Sequence, residues 1–279
     1  MPDPTTAMFT GNAPEYSLPL MTLQGSRVWL TGASLGIGEA LVAPLVEAGA
    51  RVAITARRVE LLESIAARFP STDRQVIVVP ADVTDRTAVE AAVREIDARF
   101  GGIDLAIFNA GTHQPISALD FDPEPYLRVM TLNFFSVLYC IEAVLPQMLA
   151  RGSGHIAGVA SLAGYRALPT SGAYGASKAA LIHALDAMRF DVEPRGVHVT
   201  VINPGFVKTP LTDLNTFQMP ALIDAAQAAA IIVRGLTSGR KEIHFPARFS
   251  WTMKAMRVLP YPIYEWIIKL GLRRAAAAR

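Results

Sequence analysis

A tyrosine and a lysine near the start of a long helical pattern are the residues best suited to proton chemistry. The spacing of four places the Tyr174 and Lys178 side chains on one face of a helix. The phenol of a free tyrosine has a pKa of roughly 10, and a nearby ammonium stabilises the phenolate and lowers that pKa. Ser161 follows the apolar run His155–Ala160, so its hydroxyl can face the same substrate oxygen. These residues predict a site that moves a proton to or from a carbonyl or alcohol oxygen.

The first predicted strand, Arg27–Leu30, ends in a glycine-rich turn that leads into a helical pattern. Glycines in such a turn let the backbone approach a phosphate, and the helix N-terminus supplies free N–H groups and the positive end of a dipole. A strand before the turn and a helix after it indicate a nucleotide loop. The predicted cofactor contacts in this loop are Gly32, Ser34, Leu35, Gly36, Ile37 and Gly38.

The end of the second predicted strand, Arg51–Ala56, indicates which nicotinamide cofactor is bound. An acidic residue there would hold the two ribose hydroxyls of NAD, whereas an arginine can pair with a 2′-phosphate. Arg57 stands at this place, so it predicts NADP(H), with Ser34 as a second phosphate contact. The alternative is that Arg57 is a solvated side chain at a strand end.

Two later strands also end in residues suited to ligand contact. Asp82 and Val83 follow the third predicted strand, and Asn109, Ala110 and Gly111 follow the fourth. Doubly wound sheets bind their ligands at the carboxyl ends of the strands. We therefore predict that these five residues line the cofactor site.

Short β-branched runs alternate with longer helical stretches along the chain. Runs such as Val76–Val79 are apolar on both faces, as expected of a parallel sheet covered by helices on both sides. The βαβ order predicts an α/β protein with a doubly wound parallel sheet in one domain over residues 22–245. We expect a flexible arm over 1–21 and a helical extension over 246–279. The predicted helices before that extension are Gly38–Ala48, Val59–Phe69, Arg86–Phe100, Pro125–Arg151, Tyr174–Glu193 and Pro220–Thr237.

Taken together, the motifs make the sequence resemble a classical short-chain dehydrogenase/reductase. They occur in the family's order and spacing over roughly Gly25 to Thr237. The resemblance implies a Rossmann-type fold and an oxidoreductase that interconverts a carbonyl and an alcohol by hydride transfer. The matching motifs are Thr31-Gly-x-x-x-Gly-x-Gly38, Asn109-Ala-Gly111, Asn133, Ser161, Tyr174-x-x-x-Lys178, and Pro204-Gly205 with Thr209.

The resemblance also implies a role for each catalytic residue. Tyr174 would be the general acid in reduction and the base in oxidation, and Ser161 would orient and polarise the carbonyl oxygen. Lys178 would lower the pKa of Tyr174 and hydrogen-bond the nicotinamide ribose. Asn133 would hold a water that links Lys178 to solvent as a proton relay.

Further cofactor contacts follow from the same resemblance. Asp82 would contact the adenine, Asn109 would lie along the cofactor, and Thr209 would bind the carboxamide. In this family the helices that carry Asn133 and Tyr174 commonly form an oligomer interface, so we expect a homodimer or homotetramer. The remaining predicted cofactor contacts are Pro204, Gly205 and Val207.

The composition excludes several other classes of protein. Of the 279 residues, 51% are apolar and 18% charged, which excludes a disordered chain, and a net charge of +2 does not indicate nucleic-acid binding. A single cysteine, Cys140, excludes an intrachain disulfide. The five histidines show no metal-ligand spacing, so no metal is expected. Val129–Ala150 is long enough to span a membrane, but polar residues such as Asn133 and Gln147 favour a buried helix.

The substrate end of the predicted site is mostly apolar. The segment Phe206–Met219, where the family has a specificity lid, and the segment Leu162–Leu168 supply the apolar side chains. They favour a hydrophobic, lipid-like carbonyl or alcohol as the substrate, unless the lid is apolar only because it packs when closed. A 3-ketoacyl reductase of fatty-acid type and a non-catalytic nucleotide-binding regulator remain alternatives, although the complete catalytic set argues against the regulator.

The last forty residues differ in charge from the rest of the chain. Residues 240–279 contain nine basic and two acidic side chains, together with Trp251 and Trp266. The stretches Phe249–Leu259 and Pro262–Leu272 are typical of short basic amphipathic helices. Such helices suit a membrane interface, but they could equally cover the substrate pocket or a partner subunit. The expected location is therefore cytoplasmic, with peripheral membrane contact as an open alternative.

Overall fold

The computed structural model describes residues 21–69, 75–214 and 219–277. The predicted arm over 1–21 lies outside the described residues except for Met21. The strands are β1 (Arg27–Thr31), β2 (Arg51–Thr55), β3 (Val76–Val78), β4 (Leu105–Phe108), β5 (Gly154–Val159), β6 (Val197–Pro204), β7 (Val207–Lys208), β8 (Ile223–Asp224) and β9 (Glu242–Phe245). The helices are α1 (Gly36–Glu47), α2 (Val59–Ala66), α3 (Arg86–Phe100), α4 (Glu124–Met130), α5 (Ser136–Arg151), α6 (Gly172–Val192), α7 (Ala225–Thr237), α8 (Ala247–Val258) and α9 (Tyr261–Ala277).

Seven strands form one sheet in the order β3-β2-β1-β4-β5-β6-β9, and every neighbouring pair is parallel. Because successive side chains on a strand point to opposite faces, Trp29 packs with the layer of α3, α5 and α6, while Val28 and Leu30 pack with α1, α2 and α7. Both faces are therefore buried, as in the predicted Rossmann-type doubly wound fold, which is confirmed. The parallel arrangement brings the carboxyl ends of all seven strands to one edge.

Helices α4 and α5 are joined by a π-helical turn, Thr131–Phe135, into one long helix. By length and composition, it is the one helix among the described residues that could cross a membrane. Val137, Cys140, Val144 and Met148 bury one of its faces in the layer beside α3 and α6. This packing makes it a core helix of the sheet layer, and the expected oligomer interface on its outer side stays a prediction.

The region after β6 differs from the predicted helix Pro220–Thr237. Val207 and Lys208 instead pair in parallel with Ile223 and Asp224 as the two-stranded sheet β7-β8. Helix α7 begins only at Ala225, and Asp224 before it donates its backbone N–H to Gln227 Oε1. The difference arises because the β7-β8 pairing joins residues sixteen positions apart, which a local helical pattern does not reveal.

A buried histidine on β5 gives the fold a specific dependence on pH. Thr200 donates its hydroxyl proton to the Arg240 carbonyl at 2.9 Å, so it accepts from His155 Nε2 at 2.8 Å. The neutral imidazole therefore carries its proton on Nε2. Burial, together with the neighbouring charge of His198, lowers the pKa of His155 to about 3.

We expect acid to destabilise the wild type more than a His155→Gln variant. An unfolded histidine binds a proton near pH 6.5, and the folded one does so only near pH 3, so stability is lost as the pH falls through this window. Between pH 7 and 5, the extra loss for the wild type should be about 2 kcal/mol, measured by urea unfolding. His183→Gln, an exposed change on α6, should behave like the wild type. Equal pH dependence of all three proteins would contradict this prediction.

Candidate active site

The carboxyl edge of the main sheet contains a cleft of about 800 Å³. Its wall includes almost every residue predicted to bind the cofactor or to act in catalysis. Gly38 and Asn133 are the predicted residues that do not reach the wall. The predicted residues on the wall are Gly32, Ser34, Leu35, Gly36, Ile37, Arg57, Asp82, Val83, Asn109, Ala110, Gly111, Ser161, Tyr174, Lys178, Pro204, Gly205, Val207 and Thr209.

The turn between β1 and α1 keeps its backbone open to the cleft. Gly32 and Gly36 have φ of +66° and +61°, a conformation that side chains other than glycine rarely adopt. A Cβ on Gly38 would overlap the carbonyl oxygen of Gly32 and lie 2.5 Å from Asn109 Nδ2. Asn109 Nδ2 in turn donates to Gly32 O at 3.1 Å. The turn therefore leaves room for a pyrophosphate at the start of α1, and the residues present fit a dinucleotide.

Two arginines lie at the end of β2, on the side of the cleft farther from the catalytic residues. Arg58 donates from Nη2 to Ser34 Oγ at 3.1 Å. Arg57 is 73% exposed and lies 3.9 Å from an Asp82 carboxylate oxygen. Burial opposes the charge of Asp82, but hydrogen bonds from Thr84 and the charge of Arg57 keep its pKa below the usual value. The sequence prediction missed Arg58, although the pair Arg57-Arg58 was a signal for it.

Ser161, Tyr174 and Lys178 converge at the other end of the cleft. The Ser161 hydroxyl hydrogen-bonds with the Tyr174 phenol, accepts from Ala163 N at 3.1 Å and donates to Pro204 O at 3.4 Å. Lys178 is only 4% exposed, and its Nζ donates to Val159 O at 2.8 Å. Its ammonium lies 5.9 Å from the centre of the Tyr174 ring. The arrangement places two hydroxyl groups and a cation around one point of the cleft.

The pKa of Tyr174 is governed by its burial. Burial raises it above the ordinary value, and the hydrogen bond with Ser161 offsets this only in part. Burial likewise lowers the pKa of Lys178, to about 8. Desolvation of the phenolate dominates this pKa, and the expectation that Lys178 beside a bound cofactor lowers it stays a prediction. Tyr174 is accordingly a neutral phenol at pH 7.

Asn133 lies behind the cleft wall, in the π-helical turn, and is fully buried. Its Oδ1 accepts from Thr112 N at 2.7 Å, and its Nδ2 donates to Thr112 O at 2.9 Å and to Ser177 Oγ at 3.0 Å. The Asn133 side chain therefore links the loop after β4, through hydrogen bonds, to the turn of α6 that carries Lys178. This positioning role was not anticipated from the sequence, and the proton relay through Asn133 stays a prediction.

One further contact at the catalytic end was also missed. The ring of His113 packs edge-on against Tyr174, with 4.9 Å between ring centres and 69° between planes. The sequence places His113 only in the loop after β4, two residues beyond Gly111, so nothing local signals a contact with Tyr174 on α6.

Comparisons with known proteins agree with this geometry. The sequence profile described as short chain dehydrogenase matches residues 26–219. An uncharacterized oxidoreductase of Myxococcus xanthus is 36% identical over 236 residues, which are 85% of this chain and 93% of that protein. A short chain dehydrogenase of Burkholderia cenocepacia, solved in complex with NADP, is 26% identical with a TM-score of 0.76 and covers 89% of this chain and 99% of its own.

A second solved structure, from Burkholderia phymatum and in complex with NAD, has a TM-score of 0.77 at 21% identity, over 84% of this chain and 94% of its own. It shares the fold. Because the family profile spans most of the main sheet and a relative matches over most of both chains, this chain belongs to the classical short-chain dehydrogenase/reductase family of oxidoreductases.

Proposed function

We propose that the protein is an NADP(H)-dependent enzyme that interconverts a carbonyl and an alcohol on a hydrophobic substrate. The observation that carries this proposal is the convergence of Ser161, Tyr174 and Lys178 at one end of the cleft. At the other end, Ser34 and the two arginines after β2 face the same cleft. Both ends line one cleft of about 800 Å³, which suits an extended dinucleotide.

Hydride is the chemistry that a bound nicotinamide cofactor supplies, and the chain's own residues handle the proton. In reduction, the Ser161 hydroxyl donates a hydrogen bond to the carbonyl oxygen and orients it. As the hydride bonds to the carbonyl carbon, the electron pair of the C=O π bond moves to oxygen, and Tyr174 gives that oxygen its phenolic proton. The raised pKa of Tyr174 keeps this proton in place at neutral pH, so the phenol can serve as the acid in reduction.

Apolar residues support the choice of a hydrophobic substrate. Leu132 and Leu211 lie on the cleft wall, and Leu162 packs directly behind Ser161. An apolar wall with two convergent hydroxyl groups suits a ketone or aldehyde with a large hydrocarbon part. The predicted lid residues Leu214 and Phe217 lie outside the described side chains.

Replacing Tyr174 with phenylalanine tests the catalytic proposal. Removing the hydroxyl that gives the carbonyl oxygen its proton should lower kcat for ketone reduction by about 10²–10⁴-fold. The dissociation constant for NADPH, measured by fluorescence titration, should stay nearly unchanged. Tyr261→Phe, an exposed change on α9, serves as the matched control and should keep full activity. Undiminished turnover in Tyr174→Phe would refute the role of the phenol, and a panel from short ketones to 3-ketoacyl thioesters would identify the substrate class.

Replacing Arg57 with aspartate tests the choice of cofactor. A charge-assisted contact to a 2′-phosphate contributes about 1.5–3 kcal/mol, so its loss should shift the ratio of kcat/KM for NADPH over NADH by about 10–100-fold toward NADH. The new carboxylate can also accept the ribose hydroxyls of NADH. Arg94→Asp makes the same charge change on an exposed part of α3 and should leave the ratio unchanged. An unchanged ratio in Arg57→Asp would contradict the proposal.

We further propose that the outer face of α8 and α9 contacts anionic membrane. Trp251 and Trp266 are 63% and 64% exposed, and Val258, Tyr261 and Ile263 are exposed on the same two helices. Basic residues of this segment give it a charge opposite to that of an anionic lipid surface. Such contact would bring the enzyme to lipid-like substrates.

Vesicle flotation tests the membrane contact. The wild type should float with mixed phosphatidylserine and phosphatidylcholine vesicles but not with pure phosphatidylcholine, because its basic residues need anionic lipid. A Trp251→Ser/Trp266→Ser double variant should remain in the dense fraction. Phe190→Ser, which removes an exposed aromatic ring from α6, should float like the wild type. Failure of the wild type to float, or equal flotation of all three proteins, would overturn this proposal.

A further inference from the structure

We propose that helix α8 supports the substrate end of the cleft from behind and that Phe249 limits the size of the group that a substrate places beside Ser161. This inference rests on the proposed function, since it concerns the substrate of the same site. It makes the segment after the last strand of the sheet a part of the active-site wall.

The position of Phe249 carries the inference. A Cβ on Gly205, a residue of the cleft wall, would lie 3.0 Å from Phe249 Cδ1 and 3.2 Å from Leu162 Cδ1. The Phe249 ring also packs against Phe206, with 5.5 Å between ring centres. It therefore supports the wall from behind at the point where Ser161-Leu162 and Pro204-Gly205 meet. Removal of the ring would leave a hole that opens toward the cleft.

A half-buried carboxylate holds α8 in this position. Glu242 on β9 accepts hydrogen bonds from the Tyr165 hydroxyl, from Asn203 Nδ2 at 3.0 Å and from Lys254 Nζ at 2.6 Å. These partners belong to the loop after Ser161, to β6 and to α8. Burial opposes the charge of Glu242, but the bonds from Lys254 and Tyr165 keep its pKa below the usual value, so the carboxylate stays ionised. The loop and the helix are thus tied to the same group.

Contacts from α9 hold the far end of the same loop. The Tyr264 hydroxyl donates to the Ala167 carbonyl, and the Arg166 guanidinium lies 4.4 Å from the Tyr264 ring centre. Arg166 also donates to Arg257 O at 3.3 Å. The part of the loop from Tyr165 to Ala167 is therefore held in place, and the wall behind Ser161 has little freedom to widen for a bulky substrate.

The test compares Phe249→Ala with Phe190→Ala, which removes an exposed aromatic ring from α6. Acetophenone and the larger 2-acetonaphthone serve as probes, both in turnover with NADPH and in binding to the protein loaded with NADP⁺, where no hydride can be transferred. Phe249→Ala should raise the preference for 2-acetonaphthone by about tenfold or more in both measurements, as expected when an apolar pocket gains volume. Phe249→Leu should give an intermediate shift and guards against a folding defect in the alanine variant, and Phe190→Ala should match the wild type.

The two readouts separate this inference from the proposed function. A shifted binding preference without turnover in any variant would support the wall and contradict the catalytic proposal. Unshifted preferences in both Phe249 variants, or shifts equal to that of Phe190→Ala, would contradict the proposed role of Phe249 without bearing on the catalytic proposal. Failure of either ketone to bind to any of the proteins would contradict that role as well.

Discussion

The residues at the catalytic end of the cleft are arranged around the buried ammonium of Lys178. A cation removed from water is costly unless polar atoms replace the lost solvent. Val159 at the end of β5 supplies a carbonyl oxygen to Nζ, which fixes α6 against the sheet. The neighbouring Ser177 accepts from Asn133, and Asn133 in turn holds Thr112. The need to hold one charge thus couples β5, α6, the π-helical turn and the loop after β4, and the position of Tyr174 follows from that coupling.

The same burial shifts the pKa values of both Tyr174 and Lys178. Desolvation raises the pKa of Tyr174 and lowers that of Lys178 because each charged form loses solvent. A phenol interacts weakly with an ammonium about 6 Å away, whereas the phenolate left after proton donation would be attracted strongly in a medium of low dielectric constant. In the proposed reaction, the ammonium would therefore stabilise the charge that develops more than it stabilises the resting state, as catalysis requires.

The parts of the structure that sequence predicts well are those encoded locally. Helix α3 spans Arg86–Phe100 as predicted, because Asp85 accepts from the N–H groups of Thr87 and Ala88 and Gly101 ends the helix in a left-handed conformation. The glycine turn and the spacing of Tyr174 and Lys178 are equally local. Contacts between distant segments could not be predicted in this way. They include the β7-β8 pair, the hydrogen bond from Arg58 to Ser34, and the hydrogen bonds of Asn133 to Thr112 and Ser177. The effect of burial on the pKa of Tyr174 could not be predicted for a related reason, since spacing reveals a neighbouring charge but not the loss of water around the phenol.

Helices α8 and α9 of the C-terminal extension have an inner and an outer face, and each face fits a different role. The sequence predicts two alternative roles for this segment, a membrane contact and a cover for the pocket. In the folded chain they involve different faces: Phe249, Met253 and Tyr264 turn toward the catalytic domain, while Trp251 and Trp266 turn away from it. Lys254 and Glu242 connect α8 to the loop that follows Ser161. If the outer face contacts a membrane as proposed, the same helix would link that contact to the wall behind this serine. The fold thus allows contact with a membrane and selection of the substrate to depend on the same two helices.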